Sequence, residues 1–226
     1  MCGVQDTDDE QYVCFRGIKN ELPQGADGSY GTSLTMAKAL DPANDILIAY
    51  RQNGRLLTPD HGYPVRIIIP GHIGGRMVKY LEEITVAPKE SDNFYHYFDN
   101  RVLPSHVDAE LAKKEGWWYK PDFIINDLNI NSAIAAPQHN EVVPLTRPDG
   151  SAVTHYTVKG YAYSGGGRKI IRAEVSLDGG DSWRPADIQR FEKPTKYGRY
   201  WCWVFWSVEV PIGTGLAKGM WQWLHQ

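Results

Sequence analysis

Cysteine is scarce in this sequence, charge of one sign is not in excess, and long apolar runs are missing. The 226 residues include three cysteines, Cys2, Cys14 and Cys202, odd in number and far apart. That spacing fits neither a disulfide framework nor a zinc site, and a reduced cytosolic protein is the simplest account. A formal net charge of −3 argues against a nucleic-acid binder driven by bulk positive charge. No stretch reaches the roughly 18 consecutive apolar residues of a membrane-crossing helix, and Met1-Cys2-Gly3 leads into no signal-peptide core. The expectation is a soluble, cytoplasmic protein with neither a membrane nor a nucleic acid as partner. Several catalytic signatures are missing too: Gly-x-Ser-x-Gly, His-Glu-x-x-His, a cysteine pair, a P-loop and a dinucleotide fingerprint. Tryptophan is missing from the first half, so all eight fall in the second, beside a total of thirteen tyrosines. Such density marks a heavily packed β-core or a sticky interface.

What is present begins with a solvated lead-in through Asp6-Thr7-Asp8-Asp9-Glu10, then a short strand at Tyr12-Val13-Cys14-Phe15 and a Gly- and Pro-punctuated loop from Gly17 to Gly31. Ser33 is positioned to cap a short helix over Leu34–Leu40, ended by Asp41-Pro42. Two apolar runs, Ile46–Tyr50 and Arg55–Leu57, flank Gln52-Asn53-Gly54, a strong hairpin signal. A buried strand is expected at Val65–Ile69, between Pro64 and Pro70, and another at Ile84-Thr85-Val86. Ser105 and Asp108 form an approximate capping box before Ala109-Glu110-Leu111-Ala112. From about Asn131 to Pro144 the chain reads as loop, after which alternation takes over. Ile171, Ala173, Val175 and Leu177 share one face, and Asp178-Gly179-Gly180 closes a turn. In Tyr200–Val210 the residues Trp206, Val208 and Val210 point inward, and the same parity puts Trp201, Trp203 and Phe205 outside. Apolar side chains on both faces imply a strand covered on both sides by another domain or subunit; a parity-flipping bulge is the alternative. From about Ala133 onward the pattern is that of a β-sandwich, and at Gly213–Gln226 it looks cut short.

The stretch Pro59–Lys79 places His61, Arg66, His72, Arg76 and Lys79 around a buried strand and a Gly-rich turn. Converging backbone N–H groups and guanidinium forks suit a phosphorylated ligand; a tight turn with ordinary surface cations is the competing reading. Arg66 favours the ligand, because a charge within an apolar strand needs an anionic partner. A second cluster, Ser91–Pro104, mixes polar and aromatic residues without a clean period, as in a binding loop or a surface loop held by its aromatics.

These stretches carry a resemblance. Tyr30-Gly31-Thr32-Ser33, Asp60-His61-Gly62-Tyr63-Pro64-Val65-Arg66, Gly74-Gly75-Arg76-Met77-Val78-Lys79, Asp99-Asn100-Arg101-Val102-Leu103-Pro104-Ser105 and Trp117-Trp118-Tyr119-Lys120-Pro121 resemble the sulfite oxidase and nitrate reductase family. Lys159–Gly167, Leu177-Asp178-Gly179-Gly180 and Tyr200-Trp201-Cys202-Trp203 resemble that family's dimerisation domain. The resemblance implies an α+β cofactor-domain portion over residues 1–131, followed by an all-β immunoglobulin-like sandwich over 132–226, incomplete at its end. It implies a molybdenum-molybdopterin cofactor held by His61, Arg66, Arg76, Met77, Val78 and Lys79, with Asn20 where relatives often carry Asp. Asn100 stands where sulfite oxidases carry tyrosine and plant and algal nitrate reductases carry asparagine, so it is expected to face nitrate, with nitrite as product. The ligating cysteine is expected upstream, so no metal ligand is assigned. Heme and FAD are expected only in a longer enzyme, and the 226 residues alone are expected to be inactive. A homodimer through the sandwich is implied. A sulfite oxidase-like enzyme and a non-catalytic dimerisation or binding module are the alternatives.

Overall fold

The computed structural model describes residues 11–212, so the acidic lead-in, Cys2 and the Gly213–Gln226 end lie outside the described residues. The chain divides into two compact units, Met1–Leu128 and Asn129–Gln226. Among the described residues no helix is long and apolar enough to cross a membrane.

The first unit is built on an antiparallel sheet in which β1 (Tyr12–Gly17) lies between β2 (Gly31–Thr35) and β7 (Leu81–Ala87). β3 (Leu47–Ala49) pairs with β6 (Arg66–Ile68), and β4 (Arg51–Gln52) with β5 (Arg55–Leu56) across Asn53 and Gly54. Both turn residues are left-handed, at φ 51° and 77°, which the tight hairpin requires and Asn-Gly supplies. The anticipated pairing of Ile46–Tyr50 with Arg55–Leu57 is therefore confined to the turn, and β3 goes to β6 instead. The Pro-bounded strand carries Ile67 and Ile69 into a core with Phe15, Leu34 and Val78. Two backbone bonds, Ile67 N–H to Val78 O at 3.0 Å and Leu81 N–H to Val65 O at 2.9 Å, bring residues 77–81 alongside β6.

Two caps differ from expectation. Ser33 lies inside β2, paired with Cys14, because strand pairing continues to Thr35. Thr35 caps α1 (Met36–Leu40), its side chain accepting from Lys38 N–H. Asp108, not Ser105, caps α3 (Ala109–Lys114), accepting from Leu111 N–H at 2.8 Å. A single turn of helix, α2 (Phe94–Tyr97), is capped by Asn93.

The second unit has a four-stranded antiparallel sheet in the order β12 (Asp187–Gln189), β13 (Val204–Pro211), β9 (His155–Tyr163), β8 (Asn131–Ala136), and a small ribbon, β10 (Glu174–Val175) with β11 (Arg184–Pro185). Val158, Ala162, Ile170, Val175, Val204, Trp206 and Val210 form its core. β8 overturns the loop assignment over Asn131–Ala136, while residues 137–144 are irregular as expected: the Ser-Ala-Ile-Ala run has weak strand character and is held by pairing to β9. The inward parity of Ala173, Val175 and Leu177 holds, since all three reach the core. It fails at Ile171, which is 83% exposed while Ile170 is buried. The backbone there is irregular, and Arg190 donates to the Ile170 carbonyl. Along β13, Val204, Trp206 and Val210 are buried and Phe205 is 51% exposed, while Trp203, just before the strand, is 50% exposed.

Candidate functional site

Residues of the first unit collect in two groups. His61 ends a turn of 3-10 helix over Pro59–His61, closed by Gly62 in the left-handed region at φ 96°. A Cβ at Gly62 would lie 2.9 Å from Lys79 Cβ, so only glycine permits this approach of the turn to the 77–81 segment. Lys79 Nζ donates to Asp60 O at 2.9 Å, and Tyr80 Oη donates to Pro59 O at 2.7 Å. Arg66, on β6, donates to His61 O at 3.3 Å and to Met77 O at 3.1 Å. Thr58 Oγ1 and His61 Nδ1 are 2.6 Å apart. His61, Arg66, Met77 and Lys79 thus share one locality. Val78 lies in the core beneath, leaving its backbone as its contribution.

Arg66 is unusual here. Its Nε is buried and has no hydrogen-bond partner among the described residues. Desolvation pulls the guanidinium pKa down, the mark of a cation lacking a counter-charge. An anionic oxygen would satisfy it. The donors here, a guanidinium, an ammonium and an imidazole, fit the phosphate end of a pterin cofactor.

The second group surrounds Asn100, itself left-handed at φ 53°. Its Nδ2 donates to Tyr30 Oη at 3.0 Å and to Tyr95 O at 3.3 Å, and Tyr30 and Tyr95 stack with ring centroids 5.1 Å apart. Its Oδ1 lies only 2.5 Å from where a Cβ on Gly75 would stand, so the Gly-Gly-Arg turn and the Asn100 loop touch. Burial pushes the Tyr30 phenol pKa up, which keeps that hydroxyl protonated at neutral pH.

Arg76 sits beside this second group. It is fully buried, at 0% exposure, and all three nitrogens have acceptors inside the protein. Nε and Nη2 donate to Ile125 O at 3.1 and 3.0 Å, and Nη1 to Thr32 Oγ1 at 3.1 Å and His96 Nδ1 at 2.9 Å. Arg76 is therefore satisfied within the protein, while Arg66 keeps a buried Nε–H without a partner among the described residues. Asn20 shares contacts with neither group: it is exposed, at φ 62°, and its N–H closes a loop onto Asp27 O at 2.9 Å. His72 is buried 3.3 Å from Asp127 Oδ1. Sequence reasoning did not single out Glu90, which accepts from the buried His96 at 2.7 Å. The available signal was the rule that a buried arginine and histidine require partners. Among the described residues no three His, Cys, Asp or Glu side chains group as they would around a metal ion.

The sequence and the fold correspond to a known class. Residues 1–95 match the oxidoreductase molybdopterin binding domain, and residues 122–221 match the Mo-co oxidoreductase dimerisation domain. The chain belongs to the molybdenum-cofactor oxidoreductases. Within them it is similar to nitrate reductases of plants and algae: it is 71% identical over 199 residues to the NADH nitrate reductase of Volvox carteri, covering 88% of this chain and 22% of the relative. It is 58% identical over 214 residues to the NAD(P)H nitrate reductase of Hordeum vulgare, covering 93% of this chain and 23% of that protein. The chain thus spans less than a quarter of the length of these relatives. The sulfane dehydrogenase SoxCD of Paracoccus pantotrophus shares the fold, with a TM-score of 0.64 at 22% identity over 90% of this chain and 43% of its own.

Proposed function

We propose that this chain is part of a nitrate reductase that converts nitrate to nitrite at a molybdenum-molybdopterin centre, in cytoplasmic nitrate assimilation. Residues 1–131 are assigned to the molybdopterin-binding domain and residues 132–226 to the dimerisation domain. The observation that carries the reading is Asn100, held against Gly75, at a position that the resemblance aligns with a tyrosine in sulfite oxidases.

The bound cofactor supplies the oxygen-atom transfer chemistry; the protein supplies binding, orientation and electrostatics. His61, Arg66 and Lys79, with the Met77 and Val78 backbone, would hold it, the cationic side chains facing the anionic oxygens of its phosphate. Arg76 holds the Gly-Gly-Arg turn from beneath. Asn100 faces the substrate. Its bond to Tyr95 O, at 3.3 Å, is the longer of its two, and this is the N–H that turns to a nitrate oxygen. An amide donates to that anion without adding the ionisable proton of a phenol.

The second unit is read as an immunoglobulin-like sandwich that pairs two copies of the chain. Supporting this is an aromatic outer face: Trp203 packs on Tyr161 and Tyr163 at centroid distances of 5.0 and 4.3 Å, and Phe205 on Phe191 at 5.6 Å. Half-exposed aromatics at this density suit an interface.

The test uses the full-length polypeptide containing this chain, loaded with cofactor. Reduced viologen should be oxidised with nitrate and sulfite should be inert; Asn100→Tyr should lose most nitrate turnover. Sulfite oxidation by the unaltered protein, with nitrate inert, would overturn the reading in favour of a sulfite oxidase-like enzyme.

A further inference from the structure

We propose that His96 is a positioning residue for the Asn100 loop, acting as a neutral imidazole with its proton on Nε2 and its bare Nδ1 held by Arg76. The role in nitrate handling rests on the reading of Asn100 given above; the tautomer does not.

Donor chemistry fixes the tautomer. Arginine has five N–H donors and no acceptor, so the 2.9 Å contact from Arg76 Nη1 requires a lone pair on His96 Nδ1. Thr32 Oγ1 accepts from the same Arg76 nitrogen at 3.1 Å and turns its own hydroxyl to Nδ1 at 3.0 Å. Both neighbours of Nδ1 are then donors. The remaining ring proton sits on Nε2, where Glu90 Oε2 accepts it at 2.7 Å, with Ser33 Oγ 3.5 Å away. His96 is 2% exposed, so water does not compete for these bonds. The charged groups facing it are Arg76 and Arg101, which oppose protonation, and Glu90, which favours it; burial is the largest influence, and together they lower the pKa.

From this fixed ring two short paths reach Asn100. Along the first, Arg76 follows Gly75, against which Asn100 Oδ1 rests. Along the second, the His96 carbonyl accepts from Arg101 Nη1 at 3.1 Å, and the preceding Tyr95 carbonyl accepts from Asn100 Nδ2 at 3.3 Å. Asn100 is held in a left-handed conformation that an asparagine adopts readily but does not prefer, so its neighbours must select it. A proton on Nδ1 would point at the Arg76 guanidinium, break that contact and leave Thr32 Oγ1 to accept it, releasing the first path.

Two variants and one spectrum decide the matter. The 226-residue chain with 15N-labelled histidine should show one imidazole with an unprotonated Nδ1 and a protonated Nε2 that persists into mildly acidic solution. An imidazolium, or a proton on Nδ1, at neutral pH would overturn the proposal. In the full-length, cofactor-loaded polypeptide, His96→Phe keeps ring bulk without an acceptor, and His96→Asn keeps an acceptor near the Nδ1 position. Loss of a hydrogen bond to a charged group predicts roughly a ten- to hundredfold rise in nitrate KM for His96→Phe, with cofactor content retained, and substantial recovery in His96→Asn. An unchanged KM in His96→Phe, or an equal defect in both variants, would refute the acceptor role. If the unaltered protein does not reduce nitrate, the nitrate reading fails while the spectrum still decides the tautomer.

Discussion

Replacing Gly160 with alanine puts a methyl group where the second unit has no room. Gly160 is central in β9, opposite Trp206 of β13 on one side and Ile134 of β8 on the other. A Cβ there would stand 2.2 Å from Trp206 Cζ2 and 2.3 Å from the Ala133 carbonyl oxygen. Neither neighbour can yield easily. The carbonyl belongs to a paired strand, and the indole is buried with its Nε1 donating to Ser132 Oγ at 3.0 Å. Overpacking of this kind costs about 1–3 kcal/mol, and displacing the indole adds about 1 kcal/mol for its hydrogen bond. Alanine returns under about 1 kcal/mol through its better backbone entropy. The net loss is about 2 kcal/mol, which for a unit of 60–100 residues lowers Tm by roughly 8–16 °C. Near-ultraviolet circular dichroism, read through the packed tryptophan, follows this melting. Adding Trp206→Phe should recover only part of the loss, since the Ala133 oxygen remains in the way. A Gly160→Ala protein melting within about 2 °C of the parent would refute this account of the sheet.

Burial pulls His72 down to about 4 from an ordinary value of 6.5, and His96 is lowered as well. The unfolded chain therefore binds more protons in that range, and stability, full above the unfolded pKa, should fall as pH drops below about 6.5, with the His72 part amounting to at most about 3 kcal/mol. Denaturant midpoints across pH 7 to 4 measure this, and a slope unchanged in His72→Gln would show that the residue has been misassigned. Arg66→Gln should lose cofactor content on reconstitution, and Arg66→Lys should not restore it, because an ammonium cannot span the His61 and Met77 carbonyls while reaching a phosphate. Full loading of Arg66→Gln would remove that residue from the cradle. Trp203→Glu with Phe205→Glu should give a monomer in sedimentation velocity with stability changed by less than about 1 kcal/mol, both side chains being half exposed; an unaltered dimer would move the interface elsewhere.

Local chemistry in the sequence already determined the turns and the strand faces. Asn53-Gly54 specifies a hairpin because the turn needs two left-handed residues, and the run between Pro64 and Pro70 is buried at Ile67 and Ile69 because four of its five residues are apolar. The alternation in Val204–Pro211 separates buried Val204, Trp206 and Val210 from exposed Phe205, since a strand has period two. The motif at residues 59–79 also brings His61, Arg66 and Lys79 into one locality, because β6 and the 77–81 segment lie close in sequence. What only the tertiary structure decided is which polar residues serve the outside and which the inside. Arg66 and Arg76 read alike in the sequence, yet one keeps a buried N–H without a partner among the described residues and the other has every nitrogen bonded within the protein. That difference depends on Thr32, His96 and Ile125, which arrive from three distant segments, and no local pattern encodes such a meeting. Caps and register shifts follow the same logic: Thr35 replaces Ser33, and Ile170 replaces Ile171, because strand pairing and core packing outweigh the weak local preferences of single residues.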